Sequence, residues 1–190
     1  VANKLMKGFI GSANIDTNSR LCMASSVAGH RRAFGADTVP ACYEDLELSD
    51  LVVLVGSNMA WCHPVLYQRL AAAKAARPAM KVVVIDPRRT ATSDIADLHL
   101  AVRPDGDIAL FNGLLAYLAE TGAIDENYVG KHTSGFGEAL LAASRGSLAD
   151  LSDATGVSGM LLRQFFRLFA QTEKVVTCYS QGVNQSSVGT

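Results

Sequence analysis

Two short runs of continuous apolar residues dominate the hydrophobic pattern of the chain. The runs DLVVLVG (50–56) and KVVVID (81–86) are rich in β-branched residues, and each ends at a turn-forming or polar residue. Such runs are typical of strands buried on both faces of a parallel sheet, because a strand exposed on one face alternates apolar with polar residues. The pattern predicts a core strand at each position.

The segment between these two strands predicts a helix. In HPVLYQRLAAAKAARPAM (63–80), Pro64 stands where a first helical turn accepts proline, and an Ala-rich body runs on to Pro78. Strand, helix and strand form a βαβ unit. We therefore expect the two strands to lie side by side and parallel.

The rest of the chain continues the alternation of helices and strands. The patterns predict a helix after Cys22, strands at 98–102 and 174–182, and helices at 107–122 and 158–171. This predicts an α/β fold: a doubly wound, mostly parallel sheet with Rossmann-like βαβ units. We divide the chain into a segment that carries Cys22, a nucleotide-binding-like βαβ core, a helical excursion, and a returning strand with its loop, which span 1–45, 46–122, 123–172 and 173–190.

Composition and charge narrow the possible partners. The 190 residues are 49% apolar and 18% charged, the formal net charge is −1, and the basic residues are scattered. We expect no nucleic-acid partner, and, without an apolar run of ~20 residues or a signal segment, no membrane partner.

The four cysteines form no C-x-x-C pair, which disfavours a zinc ribbon or a self-contained iron-sulfur site and favours a reducing, cytoplasmic location. The missing initiator Met and the loop-like end predict a piece of a longer protein.

Polar loops follow all four predicted strands, and three of these loops contain glycine. In an open parallel sheet, ligands bind beyond the carboxyl ends of the strands. Each loop alone is explained by ordinary turn formers, but their coincidence at one edge favours a shared ligand groove. No G-x-G-x-x-G follows the first strand, so a nucleotide-bearing cofactor other than NAD fits better. The candidate residues are Gly56, Ser57, Asn58, Asp86, Arg88, Thr90, Gly106, Asp107, Gly182, Asn184 and Gln185.

Several ordered motifs carry a resemblance to a known family. NIDTNSRLCMASSVAGHRRAFGADTVP, LVVLVGSNMAWCHPVLYQRL, KVVVIDPRRTATSDIADLHLAVRPDGDIALFNGL and SQGVNQSSVGT cover nearly the whole chain. They resemble the molybdopterin oxidoreductases of the dimethyl sulfoxide reductase family, within it the catalytic subunits of bacterial assimilatory nitrate reductases. The resemblance implies molybdenum held by bis(molybdopterin guanine dinucleotide), and a 4Fe-4S cluster whose cysteines lie before residue 1.

The resemblance also implies roles for particular residues. Cys22 would ligate the metal as a soft thiolate, which suits a centre already held by sulfur donors. Met23 would line the oxyanion pocket, although core packing explains it equally well. The resemblance assigns Asn18 and Arg20 to cofactor binding. It assigns the loops after the first three strands to the phosphates and guanosine of the cofactor. It assigns Gly182, Asn184 and Gln185 to the pterin side.

The implied activity is reduction of nitrate to nitrite by oxygen-atom transfer. Electrons would come from a donor protein or a flavoprotein subunit through the iron-sulfur cluster, and this chain alone would be inactive. Another molybdopterin oxidoreductase, such as a formate dehydrogenase, is the alternative enzyme, against which stand Met23 after Cys22 and the lack of a His directly after the thiolate. A nucleotide-binding module without redox chemistry, similar to the central domain of thiamine-dependent enzymes, is the alternative from another class. It would leave NSRLCM (18–23) unexplained.

Overall fold

A computed structural model describes residues 1–16, 22–144 and 146–186 of the chain. The chain divides into two compact units, Val1–Thr38 and Val39–Thr190. Within the described ranges, none of the helices combines the length and the apolar character needed to cross a membrane.

The larger unit is built on a four-stranded sheet. Its strands are β1 (Leu51–Val55), β2 (Lys81–Ile85), β3 (Leu98–Leu100) and β4 (Val175–Tyr179), in the order β3-β2-β1-β4. All three pairings are parallel, and Val53 of β1 is in register with Val83 of β2 and with Thr177 of β4. The predicted adjacent, parallel pairing of the first two strands is confirmed.

Ten α-helices accompany the strands in the described ranges. Pro64 begins the longer of the two helices between β1 and β2, as its position predicts. A 3₁₀ helix, Ala91–Ile95, lies between β2 and β3, and a π-helix, Lys4–Ile10, opens the chain. The helices are α1 (Ala24–Phe34), α2 (Asp45–Leu48), α3 (Met59–Cys62), α4 (Pro64–Ala76), α5 (Asp107–Glu120), α6 (Glu126–His132), α7 (Phe136–Ala143), α8 (Leu148–Thr155), α9 (Gly159–Gln171) and α10 (Gln181–Asn184).

Both faces of the sheet are covered. Val53 and its neighbours on one face pack against α5 and α9, where Phe165 is fully buried. Val52 and Leu54 on the other face pack with Leu70 of α4. Side chains alternate between the faces of a strand, so a strand covered on both sides needs apolar residues at every position. This explains the continuous apolar runs and confirms the predicted α/β class.

Two predicted strands are shorter in the structure than the pattern suggests. The strand predicted at 98–102 ends at Leu100, because the backbone turns there and the Val102 N–H donates to the Leu100 carbonyl at 2.9 Å. The strand predicted at 174–182 ends at Tyr179, and α10 follows it directly. Hydropathy alone does not locate such an end, because the turn is stabilised by local backbone hydrogen bonds.

The smaller unit contains the π-helix and α1. None of its described residues is buried. Cys22 lies in a turn directly before α1, so the helix predicted after this cysteine is confirmed.

Candidate functional site

The loops after β1 and β4 touch through two glycines. The Gly182 N–H donates to the Gly56 carbonyl at 2.9 Å, and Gly56 has φ +54°. A Cβ at Gly56 would lie 2.7 Å from the Gly182 Cα, and a Cβ at Gly182 would lie 2.5 Å from the Gly56 Cα. Only glycine at both positions allows this close backbone contact, which we call the glycine cradle, at the carboxyl edge of the sheet.

The loop after β2 is fixed through Asp86. The Asp86 N–H donates to the Leu100 carbonyl at 3.1 Å, and the His99 Nε2 is hydrogen-bonded to the Asp86 carbonyl at 3.0 Å. The Asp86 Oδ1 accepts a hydrogen bond from the backbone N–H of Arg88 at 2.8 Å, and the side chain of Arg88 is exposed. Both backbone groups of Asp86 are therefore held, and its carboxylate stands at the carboxyl edge of the sheet.

The loop after β3 meets the loop after β4. Asp105 has φ +66°, and its Oδ1 accepts a hydrogen bond from the Ser186 hydroxyl. Gly106 follows, and a Cβ there would lie 2.8 Å from Val102 Cγ2. Asp107 then opens α5 and is only 8% exposed. These contacts bring residues of all four strand ends to one edge, as the parallel register requires.

Asp107 is a buried carboxyl beside two other acidic residues. Burial raises its pKa above the ordinary value, and the negative charges of Asp105 and Asp86 raise it further, against its own backbone N–H, which lowers it. The negative charge of Asp86 raises the pKa of Asp107 although the two residues follow different strands. When ionised, the Asp107 carboxylate can accept hydrogen bonds from donors such as the N–H groups of a purine base or the hydroxyls of a ribose.

Asp107→Asn is expected to raise the free energy of unfolding at neutral pH. The folded-state pKa of Asp107 lies above its unfolded value, so its burial costs no stability below the unfolded pKa. The cost grows as pH rises from the unfolded pKa to the folded pKa and is constant above it, where the folded state buries a charge. Urea unfolding of wild type and of Asp107→Asn, from acidic to neutral pH, measures the difference in the free energy of unfolding. This difference should vanish at the acidic end.

Asp150→Asn provides a control of opposite sign. Its carboxylate accepts from Ser147 in the capping box of α8, and these hydrogen bonds hold the pKa of Asp150 below its ordinary value. Its stabilisation is present above the unfolded pKa and is lost as pH falls through the folded pKa. Asp150→Asn should therefore lower stability at neutral pH. The same sign of change for both variants would contradict the assignment for Asp107.

The larger unit brings most predicted cofactor residues to the carboxyl edge of its sheet. Ser57 is buried and Thr90 caps the 3₁₀ helix. Asn184 is buried in α10 and Gln185 follows it, so the loop expected there is a helical turn. The residues at this edge are Gly56, Ser57, Asn58, Asp86, Arg88, Thr90, Gly106, Asp107, Gly182, Asn184 and Gln185.

The other predicted residues belong to the smaller unit. Cys22 is exposed, and Met23 is partly buried at the start of α1. Asn18 and Arg20 lie outside the described residues. Across the described ranges, no three His, Cys, Asp or Glu side chains are grouped so that they could hold a metal ion by themselves.

Sequence reasoning missed three residues that shape this edge. They are His99, which holds Asp86, Ser186, which holds Asp105, and Thr92, whose hydroxyl contacts Asn58. His99 lies inside an apolar strand and Thr92 inside a buried 3₁₀ helix. For His99 and Thr92, the signal that could have identified them is a polar residue in an otherwise buried segment, because such a group needs a partner.

Polar loops at the carboxyl edge of a parallel sheet are typical of α/β proteins that bind a ligand at that edge. The family model Molybdopterin oxidoreductase matches residues 1–190. The chain belongs to the molybdopterin oxidoreductase family, which confirms the resemblance in its motifs.

Sequence similarity to curated relatives covers nearly the whole chain. It is 54% identical to "Nitrate reductase" of Shewanella frigidimarina over 100% of its length and 55% identical to "Nitrate reductase" of Klebsiella oxytoca over 99%. It covers 20% and 21% of those proteins, so it spans about a fifth of their length. It is also 36% identical to "Assimilatory nitrate reductase" of Haloferax mediterranei, with 98% of this chain and 25% of that protein covered.

A solved structure shares the fold. The acetylene hydratase from Pelobacter acetylenicus superposes with a TM-score of 0.74 at 25% identity, covering 92% of this chain and 23% of that one. The match supports the α/β architecture independently of the sequence motifs.

Proposed function

We propose that this chain is part of the catalytic subunit of a molybdenum nitrate reductase, and that the carboxyl edge of its sheet holds a bis(molybdopterin guanine dinucleotide) cofactor. One observation carries the cofactor site: the loops after four parallel strands meet at one edge, where Gly56 and Gly182 are in backbone contact. The similarity of the whole chain to nitrate reductases supports the substrate.

The groups at this edge fit the nucleotide part of such a cofactor. The glycine cradle lets a phosphate approach the backbone, and the exposed Arg88 guanidinium supplies a positive charge for it. The carboxyls of Asp86 and Asp107 suit the hydroxyls of a ribose and the N–H groups of guanine. The donor set therefore matches phosphate, sugar and base.

Cys22 fits the metal end of the cofactor. Its thiol is exposed, directly before α1, and a soft sulfur donor suits a metal that the pterin dithiolenes already hold. A single protein thiolate is sufficient for such a centre, because the cofactor supplies the other sulfur ligands.

The net reaction is the reduction of nitrate with two electrons and two protons to nitrite and water. When bound, the molybdenum cofactor would supply the two-electron chemistry of oxygen-atom transfer. The residues of this chain hold and orient the cofactor, and Met23 contributes an apolar wall near Cys22. A donor protein or a flavoprotein subunit would supply the electrons, and a 4Fe-4S cluster held by residues outside this chain would pass them to the cofactor.

The test is chemical analysis of the purified holoprotein together with an activity assay. We expect molybdenum, pterin and guanine nucleotide in the preparation, and nitrite formation from nitrate with reduced viologen as artificial electron donor. Cofactor with formate-dependent dye reduction and no nitrite would favour a formate dehydrogenase. Absence of molybdenum and pterin would overturn the proposed function as a whole.

A further inference from the structure

A fully buried hydroxyl connects the loops after β1 and β2. Thr92, in the 3₁₀ helix, has an exposed fraction of 0%. Its Oγ1 accepts the Ala60 N–H at 3.0 Å and donates to the Asn58 Oδ1 at 3.1 Å. Asn58 and Thr92 are separated by 34 residues along the chain, so this contact exists only in the folded sheet.

The hydrogen-bond inventory of Thr92 sets the orientation of the Asn58 amide. A threonine hydroxyl has a single donor hydrogen, and a buried hydroxyl without an acceptor is destabilising. The Ala60 N–H is itself a donor, so it cannot accept this hydrogen. Asn58 Oδ1 is the acceptor in contact, which directs the amide oxygen toward Thr92 and the Nδ2 group away from it.

The Asn58 Nδ2 group keeps both of its N–H donors. Within the described part of the chain, Nδ2 makes no hydrogen bond, and Asn58 is only half-buried. Two oriented N–H donors beside the glycine cradle suit an acceptor oxygen of a ligand, such as that of a phosphate.

We propose that Thr92 is a positioning residue for the cofactor: it holds the Asn58 amide with its N–H donors directed to a cofactor oxygen. This inference rests on the proposed function, because the cofactor is the ligand. Thr92 does not touch the ligand and acts through Asn58. Partners of this kind typically change ligand affinity by about 10–100-fold when they are removed.

The test is a double-mutant cycle on the holoprotein that contains this chain. Thr92→Val removes the hydroxyl at nearly constant volume, and Asn58→Ala removes the amide. Retention of cofactor during dialysis is measured as molybdenum by elemental analysis and as pterin by fluorescence after oxidation. Each single variant should weaken retention by about tenfold, and the double variant should be no weaker than Asn58→Ala.

Two further variants separate positioning from a general structural role. Thr92→Ser keeps the hydroxyl and should retain cofactor like wild type. Asn58→Asp keeps an acceptor for Thr92 but has no donor for the ligand, so it should fold normally and lose cofactor. Thermal melts of each variant report folding, so the Asn58→Asp result stands even if Thr92→Val is unstable.

Ser93→Ala is the matched control. The Ser93 side chain is also fully buried and adjacent in sequence, but its hydroxyl has no hydrogen-bond partner in the described ranges. Removing it should leave cofactor retention unchanged, with equal or slightly higher thermal stability, because an unsatisfied buried hydroxyl is lost.

Each outcome has a defined meaning. Additive losses in the Thr92→Val, Asn58→Ala double variant, or wild-type retention in Thr92→Val or Asn58→Asp, would overturn the positioning role while leaving the proposed function standing. A wild-type protein without molybdenum and pterin would overturn both proposals together.

Discussion

Cys22→Ser is expected to abolish nitrate-dependent turnover in the holoprotein that contains this chain while leaving its fold intact. Under the proposed function, the thiolate is a soft ligand, and a serine oxygen is a harder donor that changes the electronics of the metal. We expect turnover to fall on the order of a thousandfold or more, equivalent to about 4 kcal/mol of transition-state stabilisation. Cys22 is exposed, so its replacement removes little packing.

The measurement compares nitrite formation, molybdenum content and thermal melting for the variant and wild type. Cys42→Ser is the matched control, because Cys42 is also exposed and lies in the loop before α2. It should have the turnover of wild type. Near-normal turnover of Cys22→Ser with the metal retained would exclude an essential ligand role and leave Cys22 as an ordinary side chain.

Gly56→Ala is expected to be strongly destabilising and to empty the cofactor site. Two penalties combine, because a Cβ would lie 2.7 Å from the Gly182 Cα and because φ is +54°. Overpacking costs about 1–3 kcal/mol, and the left-handed conformation adds about 1–2 kcal/mol for an L-residue. The loops after β1 and β4 would have to separate, which opens the cradle. Denaturant unfolding and cofactor content measure the two effects.

Alanine substitutions at two other glycines provide comparisons for Gly56→Ala. Gly182→Ala introduces the clash without the positive φ, so it should destabilise less than Gly56→Ala. Gly137 lies in α7 with an ordinary φ, and a Cβ added there would meet no neighbouring atom within 4 Å. Gly137→Ala should be neutral or stabilising by up to about 1 kcal/mol, because alanine favours the helix. Equal effects of all three substitutions would contradict the cradle.

The sequence predicts the elements of this fold where local chemistry dominates. The runs at Leu51–Val55 and Lys81–Ile85 are apolar at nearly every position. Continuous apolar runs of this length are typical of strands buried on both faces of a sheet. Pro64 begins α4 because proline loses no hydrogen bond in the first turn of a helix. The predicted ends of β3 and β4 were wrong because local turns, which hydropathy does not encode, end those strands.

Strand-end chemistry was also accessible from the sequence. Once the strands are parallel, their carboxyl ends share one edge, so Gly56, Asp86 and Asp107 are expected together without knowledge of any contact. The motifs around Cys22 indicated the family, and the match over residues 1–190 confirms it. The roles of the individual side chains toward the cofactor stay predictions.

Only the tertiary structure decided how those loops hold one another. Thr92 contacts Asn58 across 34 residues, and Ser186 contacts Asp105 across 81. Such pairs depend on where the sheet places each strand end after folding, to within the few tenths of an ångström that a hydrogen bond requires. Periodicity encodes which face of a strand or helix is buried. Periodicity carries no information about which two polar groups, distant in sequence, form a hydrogen bond.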